Sequence, residues 1–447
     1  MIDLFLALAL IIVLYWRTLP YLNLIDDIVP MSGYLYNVPQ VSPAPDFYLK
    51  KSNRYARIWA ITVHCLNTVM IYLILGGKAA LLFAVYPVAV NNVAWITGSY
   101  YATTTFLTLT AYYFLTKTAW FIGVPLAMAF FAAALNSTVA TICFPFVFLF
   151  GNPIGLSMLI PLGIFLTGKR FTTGKKIREG NGVAVPSDIA PDIFTVGRLA
   201  VMVKTVALYL FTALVPLKLL FFRKFGEEYR FDPECKKTLD SFNKWFYLSI
   251  LLIGSFIGVG YFTGKLFWAF WFLVLITAFS NYRLLGQFFA ERYMYPACIG
   301  VIAILSCFPE PIYWSLFGFY LLRTHLFIPV FSSNEQLYKN GIQQDPDEPI
   351  NYCNLSDWYL MTVRDMPLAG YYIQMNIIKD PKDYKAEINF ASFWRIMGNL
   401  DLALKHGKLA IEKAKGRAWP HTMAVIENQL KYTENAIIER DKANAKK

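Results

Sequence analysis

The chain has 447 residues, of which 57% are hydrophobic and only 16% charged, and its mean hydropathy is +0.44. Soluble domains carry about 25% charged residues, so this composition excludes an ordinary soluble enzyme. Of the formal charge of +12, residues 332–447 contribute +1 (16 basic and 15 acidic side chains), so residues 1–331 carry the remaining +11. A basic excess between apolar runs indicates lipid headgroups or phosphate as partners rather than nucleic acid.

Apolar runs long enough to span a bilayer, or nearly so, occur twelve times before residue 332. They cover about residues 2–16, 55–75, 79–97, 100–116, 119–135, 138–150, 153–167, 199–222, 243–262, 264–282, 295–308 and 311–331. Prolines interrupt the runs at 138–150 and 153–167, which form either two spans or one re-entrant element, so we predict 11 or 12 spans. The predicted fold class is all-α: an integral multi-pass membrane bundle at 1–331 and a soluble helical domain at 332–447.

The soluble domain contains an internal repeat. Met366-Pro-Leu-Ala369 recurs 34 residues later as Leu400-Asp-Leu-Ala403, and this spacing is typical of tetratricopeptide repeats. We predict about two repeats, followed by a polar final helix at 419–442 that caps them. Such a module is either a folded appendage or a groove for a peptide or protein partner.

Several polar residues stand in or beside the apolar runs. Asp26 and Asp27 follow the first run, and adjacent carboxylates can divide the roles of general base and hydrogen-bonding group. His64 and Asn67 lie three residues apart in the second run, where they share a helix face. Asn91 and Asn92 interrupt the third run. Polar groups at membrane depth are functional candidates, with hydrogen bonding between helices as the alternative interpretation.

Glu291 and Arg292 stand at the start of the eleventh run, with Arg283 nearby. The Glu-Arg pair either forms a salt bridge that fixes a helix entrance or leaves arginine to bind a lipid phosphate, for which guanidinium is suited. The sequence contains no Walker loop, dinucleotide-binding glycine motif, HExxH or GxSxG, and its six cysteines lack metal-ligand spacing. No cofactor is therefore assigned, and a divalent metal is not indicated.

Four segments in chain order resemble the transmembrane and tetratricopeptide-repeat O-mannosyltransferase family. They are Asp26-Asp27, the His64-x-x-Asn67 pattern, residues 81–98 (LLFAVYPV, then VAWITG) and residues 290–296 (AERYMYP). The repeats also follow the last apolar run, as they do in that family. The resemblance implies a GT-C glycosyltransferase fold for residues 1–331 and tetratricopeptide repeats in residues 332–447.

The chain departs from this family at several charged or basic positions. The family's His before Pro, its Glu and its Arg after Gly are replaced by Tyr86, Asn91 and Ser99, and its Lys-Glu pair aligns with Asn136-Ser137. The first loop is also shorter. These replacements leave open either a divergent enzyme with a different donor or a fold kept for binding without catalysis.

The resemblance implies inverting transfer of a sugar from a polyprenyl-phosphate donor to an acceptor hydroxyl on a protein or glycan, with protein Ser and Thr among the candidates. In the expected site, two acids activate the acceptor: Asp26 and Asp27. Three residues bind the donor phosphate: Arg292, Arg283 and Glu291. Three further residues line the pocket: His64, Asn67 and Asn91. Two alternatives come from other classes: a non-catalytic membrane scaffold that binds a partner through its repeats, and a transporter of lipid-linked sugars. The cytoplasmic membrane and the endoplasmic reticulum membrane both fit the composition.

Overall fold

The computed structural model describes residues 1–21, 24, 53–135, 143–151, 153–166, 196–220, 233–281, 289–415 and 420–445. All regular secondary structure in these residues is helical, which confirms the predicted all-α class. The contacts between residues divide the chain into two units, and the main division falls between Phe331 and Ser332.

The first unit consists of apolar helices joined by short 3-10 turns such as Pro87–Ala89 and Glu291–Tyr293. In chain order, its described α-helices are α1 (Ile2–Tyr15), α2 (Arg54–Leu75), α3 (Gly77–Ala84), α4 (Val90–Val93), α5 (Ser99–Lys117), α6 (Trp120–Leu135), α7 (Phe144–Gly151), α8 (Val196–Leu214), α9 (Pro233–Asp240), α10 (Lys244–Phe262), α11 (Leu266–Thr277), α12 (Met294–Leu305) and α13 (Glu310–Phe327).

Four helical segments of the described chain are long and apolar enough to cross a membrane: Arg54–Leu75, Val196–Leu214, Lys244–Phe262 and Glu310–Ser332. Three shorter apolar helices are Trp120–Leu135, Gly155–Leu166 and Leu266–Thr277. Length and composition thus support membrane association of the first unit. The expected 11 or 12 spans remain a prediction.

The apolar run at 79–97 does not form one helix. Helix α3 ends at Ala84, a 3-10 turn covers Pro87–Ala89, and α4 has only four residues. Proline has no N–H, and it disfavours helical backbone at the preceding residue, Tyr86, whose ψ is 120°. The break at Pro87 therefore places Asn91 in a short buried segment rather than in the middle of a long helix.

Helices α11 and α12 approach closely at Gly300. A Cβ at this position would collide with the carbonyl oxygen of Trp268, so only glycine fits at this crossing. The indole N–H of Trp271 on α11 donates a hydrogen bond of 2.9 Å to the carbonyl of Pro296. These contacts fix the beginning of α12, where the AERYMYP segment ends.

The second unit contains a series of helices in which each packs against the next. They are α14 (Asn334–Gln344), α15 (Pro349–Asp357), α16 (Met366–Lys379), α17 (Tyr384–Ile396), α18 (Leu400–Ala414) and α19 (Pro420–Asn444), and a π-helical turn, Trp358–Val363, extends α15.

Two helices of this unit begin 34 residues apart and have the same N-terminal cap. Asp365 precedes α16 and Asn399 precedes α18, and each side-chain oxygen accepts the backbone N–H three residues later at 3.0 Å. Such caps satisfy N–H groups that a helix leaves without partners in its first turn. The 34-residue offset seen in the sequence therefore corresponds to a repeated, capped helix.

Candidate functional site

Five of the eight predicted site residues lie in the described part of the first unit: His64, Asn67, Asn91, Glu291 and Arg292. The other three lie outside the described residues, as does the Asn136-Ser137 pair: Asp26, Asp27 and Arg283.

The hydroxyl group of Tyr295 joins the second and fourth segments of the resemblance. It lies 2.7 Å from Nδ1 of His64 and accepts a hydrogen bond of 3.3 Å from the side-chain amide of Asn67. The same amide donates to the carbonyl of Ala102 on α5 at 2.9 Å. All three side chains of this cluster, His64, Asn67 and Tyr295, are fully buried, so they connect α2, α5 and α12.

The hydrogen bonds of this cluster favour one tautomer of His64. Because Asn67 donates to the Tyr295 oxygen, the phenol proton is available to Nδ1 of His64, and the neutral ring then carries its own proton on Nε2. The backbone of Ala84 also lies within hydrogen-bonding reach of the imidazole. The rings of Tyr15 and Phe83 pack on the imidazole at centroid distances of 5.6 and 5.0 Å. This enclosure fits a residue that positions helices.

Two adjacent asparagines on α4 differ in their contacts. The side-chain amide of Asn92 donates to the carbonyls of Gly98 and Arg292, at 3.2 and 3.1 Å, so it ties the third segment to the fourth. Asn91 is also buried, no hydrogen bond of its side chain is found in the described chain, and its oxygen, like that of Asn92, is buried without a partner. A buried polar atom without a partner is costly and marks a candidate binding group.

The guanidinium group of Arg292 lies against aromatic rings. Its central carbon is 5.4 Å from the ring of Trp95 and 4.9 Å from that of Tyr293, distances at which cation–π attraction operates. The Tyr293 ring is itself held between Phe279, stacked at 4.1 Å, and Tyr101 at 5.7 Å. These rings orient the cation, and one of its terminal nitrogens donates a hydrogen bond of 3.4 Å to the hydroxyl of Tyr293, with the hydroxyl of Tyr101 also in hydrogen-bonding reach.

Arg292 is half-buried and forms no ion pair with a carboxylate of the described residues. Its neighbour Glu291 is buried, so the two side chains have different surroundings. The salt bridge considered as one interpretation of this pair is thus not formed. A guanidinium without a carboxylate partner retains the donors that bind a phosphate.

Helix α8 supports the same segment from another side. The hydroxyl of Tyr209 accepts the backbone N–H of Ala290 at 3.1 Å, and its ring stacks on Phe289 at 4.2 Å. Sequence reasoning missed Tyr209, since a lone tyrosine in an apolar helix gives no signal of a distant partner. Tyr295 was also missed, although it lies inside a recognised motif. Asn92 was named only as one of the two asparagines that interrupt the third run, without a partner.

The described residues contain no group of three or more His, Cys, Asp or Glu side chains that could hold a metal ion. Comparison with protein-family models, with curated proteins and with solved structures finds no match for this chain.

Proposed function

We propose that the chain is a multi-pass membrane glycosyltransferase that transfers a sugar from a polyprenyl-phosphate donor to an acceptor hydroxyl on a protein or glycan. Residues 1–331 form a GT-C-like membrane domain in the cytoplasmic or endoplasmic reticulum membrane. Residues 332–447 form a tetratricopeptide-like domain that recruits or presents the acceptor.

The observation that carries this proposal is the state of Arg292. It is a half-exposed cation in an apolar unit, it is oriented by Trp95 and Tyr293, and no described carboxylate neutralises it. Holding a charge in such surroundings costs free energy unless an anion compensates it. The phosphate of a lipid-linked donor has the charge and the oxygen geometry to do so.

The arrangement of the segments adds support. Residues that the resemblance draws from three separate stretches meet in one place: His64 and Asn67 reach Tyr295, and Asn92 reaches the backbone of Arg292. A chance similarity of short motifs would not require such contacts. The first segment, Asp26-Asp27, lies outside the described residues.

The proposed reaction needs a base for the acceptor and a cation for the leaving group. The acceptor oxygen attacks the anomeric carbon, the carbon–oxygen bond to the phosphate breaks, and its electron pair leaves with the phosphate. Asp26 or Asp27 takes the hydroxyl proton, Arg292 and Arg283 stabilise the phosphate charge, and Glu291 is the third residue assigned to the donor-phosphate site. His64, Asn67 and Asn91 position these groups around the pocket.

Transfer in proteoliposomes tests the proposal. Purified full-length protein is supplied with a radiolabelled polyprenyl-phosphate sugar and an extract of acceptor proteins, and label bound to protein or glycan is counted. Arg292→Gln should lower transfer by about 10²–10³-fold, the effect typical for loss of one group that stabilises transition-state charge. Asp26→Asn and Asp27→Asn, made separately, should leave folding intact, and at least one should abolish transfer.

Arg54→Gln is the matched control, because Arg54 is an exposed arginine at the first residue of α2. It should retain full transfer. No transfer by the wild-type protein from any polyprenyl-phosphate sugar would refute the proposal. Unchanged transfer in the Arg292 variant would remove that residue's role, and unchanged transfer in both aspartate variants would remove the catalytic assignment.

A non-catalytic membrane scaffold is the second candidate, and the neutral amide of Asn91 favours it. The family has Glu at this position, and a site without that charge fits binding without chemistry. Mass analysis of protein glycans in cells with and without the gene separates the two candidates. A glycan that disappears with the gene supports the enzyme, and an unchanged glycan profile together with partners captured by residues 332–447 supports the scaffold.

A further inference from the structure

A mainly apolar groove of about 450 Å³ lies between α8 and α10 in the first unit. Leu208 and Phe211 line it from α8, and Leu248 and Leu252 line it from α10. Pockets of this size and lining bind the apolar part of a ligand, with a few polar groups fixing its direction. The groove is therefore suited to a hydrocarbon chain.

The polar groups at one end of the groove already have partners within the protein. The ammonium group of Lys204 donates to the carbonyls of Thr238, Leu239 and Ser241, at 3.3, 3.0 and 2.7 Å. Asn243 accepts the first N–H groups of α10. Because these groups are satisfied, they close the end of the groove without demanding a polar ligand between the helices.

The open side of the groove is apolar surface. Phe211, Trp245 and Leu248 are 52, 60 and 51% exposed, and α10 is the least buried of the four helices that are long enough to span a membrane. Under the membrane insertion contained in the proposed function, on which this inference rests, that surface faces the bilayer. A lipid chain can then enter the groove sideways.

A positively charged side chain, Lys244, lies beside the groove. The exposed Lys244 lies with Nζ 5.4 Å from the ring of Trp245, and no described carboxylate forms an ion pair with it. Asp240 interacts with Lys204 instead. Tryptophan and lysine together are typical of the interface between hydrocarbon and headgroups, and lysine there attracts anionic lipid.

The groove and Arg292 lie on different sides of α8. Lys204, Leu208 and Phe211 follow a helical spacing along one face, whereas Tyr209, which holds the Ala290 backbone, points roughly the opposite way at about 100° per residue. A donor whose phosphate binds Arg292 is thus separated from the groove by the helix itself.

We propose that the groove between α8 and α10 binds one acyl chain of an anionic phospholipid, with the headgroup phosphate at Lys244 and Trp245. This lipid stays with the protein through purification and braces α8, the helix that supports the Arg292 segment from behind.

Lipid retention in full-length protein, extracted in mild detergent from membranes and analysed by native mass spectrometry, tests this site. Wild-type protein should carry a phospholipid, with phosphatidylglycerol or phosphatidylserine preferred over phosphatidylcholine when the lipids are offered in equal amounts. Leu208→Trp fills the groove and should reduce retention about tenfold, which corresponds to about 1.4 kcal/mol. Lys244→Gln leaves the groove open and should lower only the preference for anionic lipid, by about fivefold.

Two variants serve as controls. Leu251→Trp adds the same side chain to α10 at a 65% exposed position that does not line the groove, and Lys117→Gln removes an exposed charge elsewhere. Both should retain lipid as the wild type does. Equal retention by Leu208→Trp, no lipid in the wild type, or polyprenyl phosphate as the species that Leu208→Trp displaces would each overturn the proposal.

Failure of the enzyme proposal gives a different result. Arg292→Gln should bind phospholipid normally even though it loses transfer, so lipid retention without any transfer by the wild type would refute the enzyme and keep the groove. Recovery of the protein without detergent in the soluble fraction would refute the membrane insertion on which both depend.

Discussion

The imidazole Nδ1 of His64 lies 2.7 Å from the phenol oxygen of Tyr295, although 231 residues separate them in the chain. Tyr295 also accepts a hydrogen bond from Asn67, so a single hydroxyl group serves two buried partners on α2. If that hydroxyl is removed, His64 and Asn67 stay buried but lose their hydrogen bonds to it. Leaving a buried polar group without a partner costs more free energy than the hydrogen bond contributes to stability.

Tyr295→Phe is therefore expected to lower the free energy of unfolding by about 1–3 kcal/mol while keeping the ring contacts with Phe83. Thermal unfolding of the full-length protein in detergent measures the change. Tyr100→Phe is the control, because the Tyr100 side chain is half-exposed and has no hydrogen bond in the described structure. Equal midpoints for the two variants would show that the hydroxyl group of Tyr295 contributes nothing.

The adjacent residues Asn91 and Asn92 allow a comparison of two buried amides. Asn92 makes two hydrogen bonds, to Gly98 and Arg292, so Asn92→Ala should destabilise the protein by about 1–3 kcal/mol. The side chain of Asn91 has no hydrogen bond in the described structure, so Asn91→Ala should change stability by less than about 1 kcal/mol. Thermal unfolding measures both.

Transfer assays on the same pair separate packing from binding. If Asn91 contacts the substrate, Asn91→Ala loses transfer while the protein remains as stable as the wild type. A loss of stability in Asn91→Ala as large as in Asn92→Ala would contradict the structural difference between them. Full activity in a stable Asn91→Ala protein would remove Asn91 from the site.

The apolar runs predicted some helices closely and others poorly, for identifiable reasons. The runs at 55–75 and 243–262 correspond to Arg54–Leu75 and Lys244–Phe262, because an asparagine caps the start of each helix and no proline interrupts it. The run at 79–97 is also apolar, but Pro87 breaks it into short pieces. Hydropathy indicates whether a segment lies in an apolar environment. Whether its backbone forms one continuous helix depends on local features such as the missing N–H of a proline.

The sequence predicted individual residues of the candidate site, but it did not predict the contacts between residues that are distant in the chain. The motifs named His64, Asn67 and Arg292 as individual residues, but nothing in the spacing showed that Tyr295 would join the first two. Tyr209 could not be found at all, since its contact with the Ala290 backbone depends only on how α8 packs. A single sequence does not show which distant residues come into contact in the fold.

The crossing of α11 and α12 depends on the absence of a side chain at Gly300. Gly300→Ala would force a Cβ into the carbonyl oxygen of Trp268, so the helices must separate, and overpacking of this kind costs about 1–3 kcal/mol. Gly254→Ala on α10 is the matched control, because nothing lies within 4 Å of its added methyl group. It should be neutral or slightly stabilising, as Ala favours a helix. Equal thermal midpoints for both variants would contradict the close crossing.

In the second unit, Glu387 of α17 contacts two basic side chains of α18. His406 lies 2.7 Å from one carboxylate oxygen, and the Lys413 ammonium hydrogen-bonds the other. Burial acts to raise the pKa of Glu387, but the hydrogen bonds from Lys413 and His406 outweigh it, and the pKa is lowered. The folded pKa is then below the unfolded value of about 4.3, so the stabilisation is complete above that pH and is lost as the pH falls through the folded pKa.

Glu387→Gln should therefore destabilise this unit by about 1–2 kcal/mol at pH 7, and the difference from wild type should shrink below about pH 4. Amide hydrogen exchange of peptides from Tyr384–Ile396 in the full-length protein measures it, with both proteins compared at each pH. Asp401→Asn, which breaks an exposed pair with Arg440, is the control and should change nothing measurable. A gap that persists unchanged at low pH would contradict the role of the carboxylate charge.

Asp357, the last residue of α15, shows the opposite effect. Burial raises the pKa of its carboxyl group from 3.8 to about 6, and no cation is bonded to it in the described structure. Because the folded pKa is above the unfolded one, ionisation costs stability as the pH rises from about 4 through about 6, and the cost is complete at neutral pH. Asp357→Asn removes that cost. It should stabilise the unit at pH 7 by about 1–2 kcal/mol, a range that allows for the partial exposure of the side chain, and it should have no effect at pH 4.

Hydrogen exchange of peptides from 349–363 measures the change, and Glu427→Gln, at an exposed carboxylate of α19, should be neutral at both pH values. Destabilisation by Asp357→Asn at pH 7 would mean that the charged carboxylate has a favourable partner and that its burial is compensated.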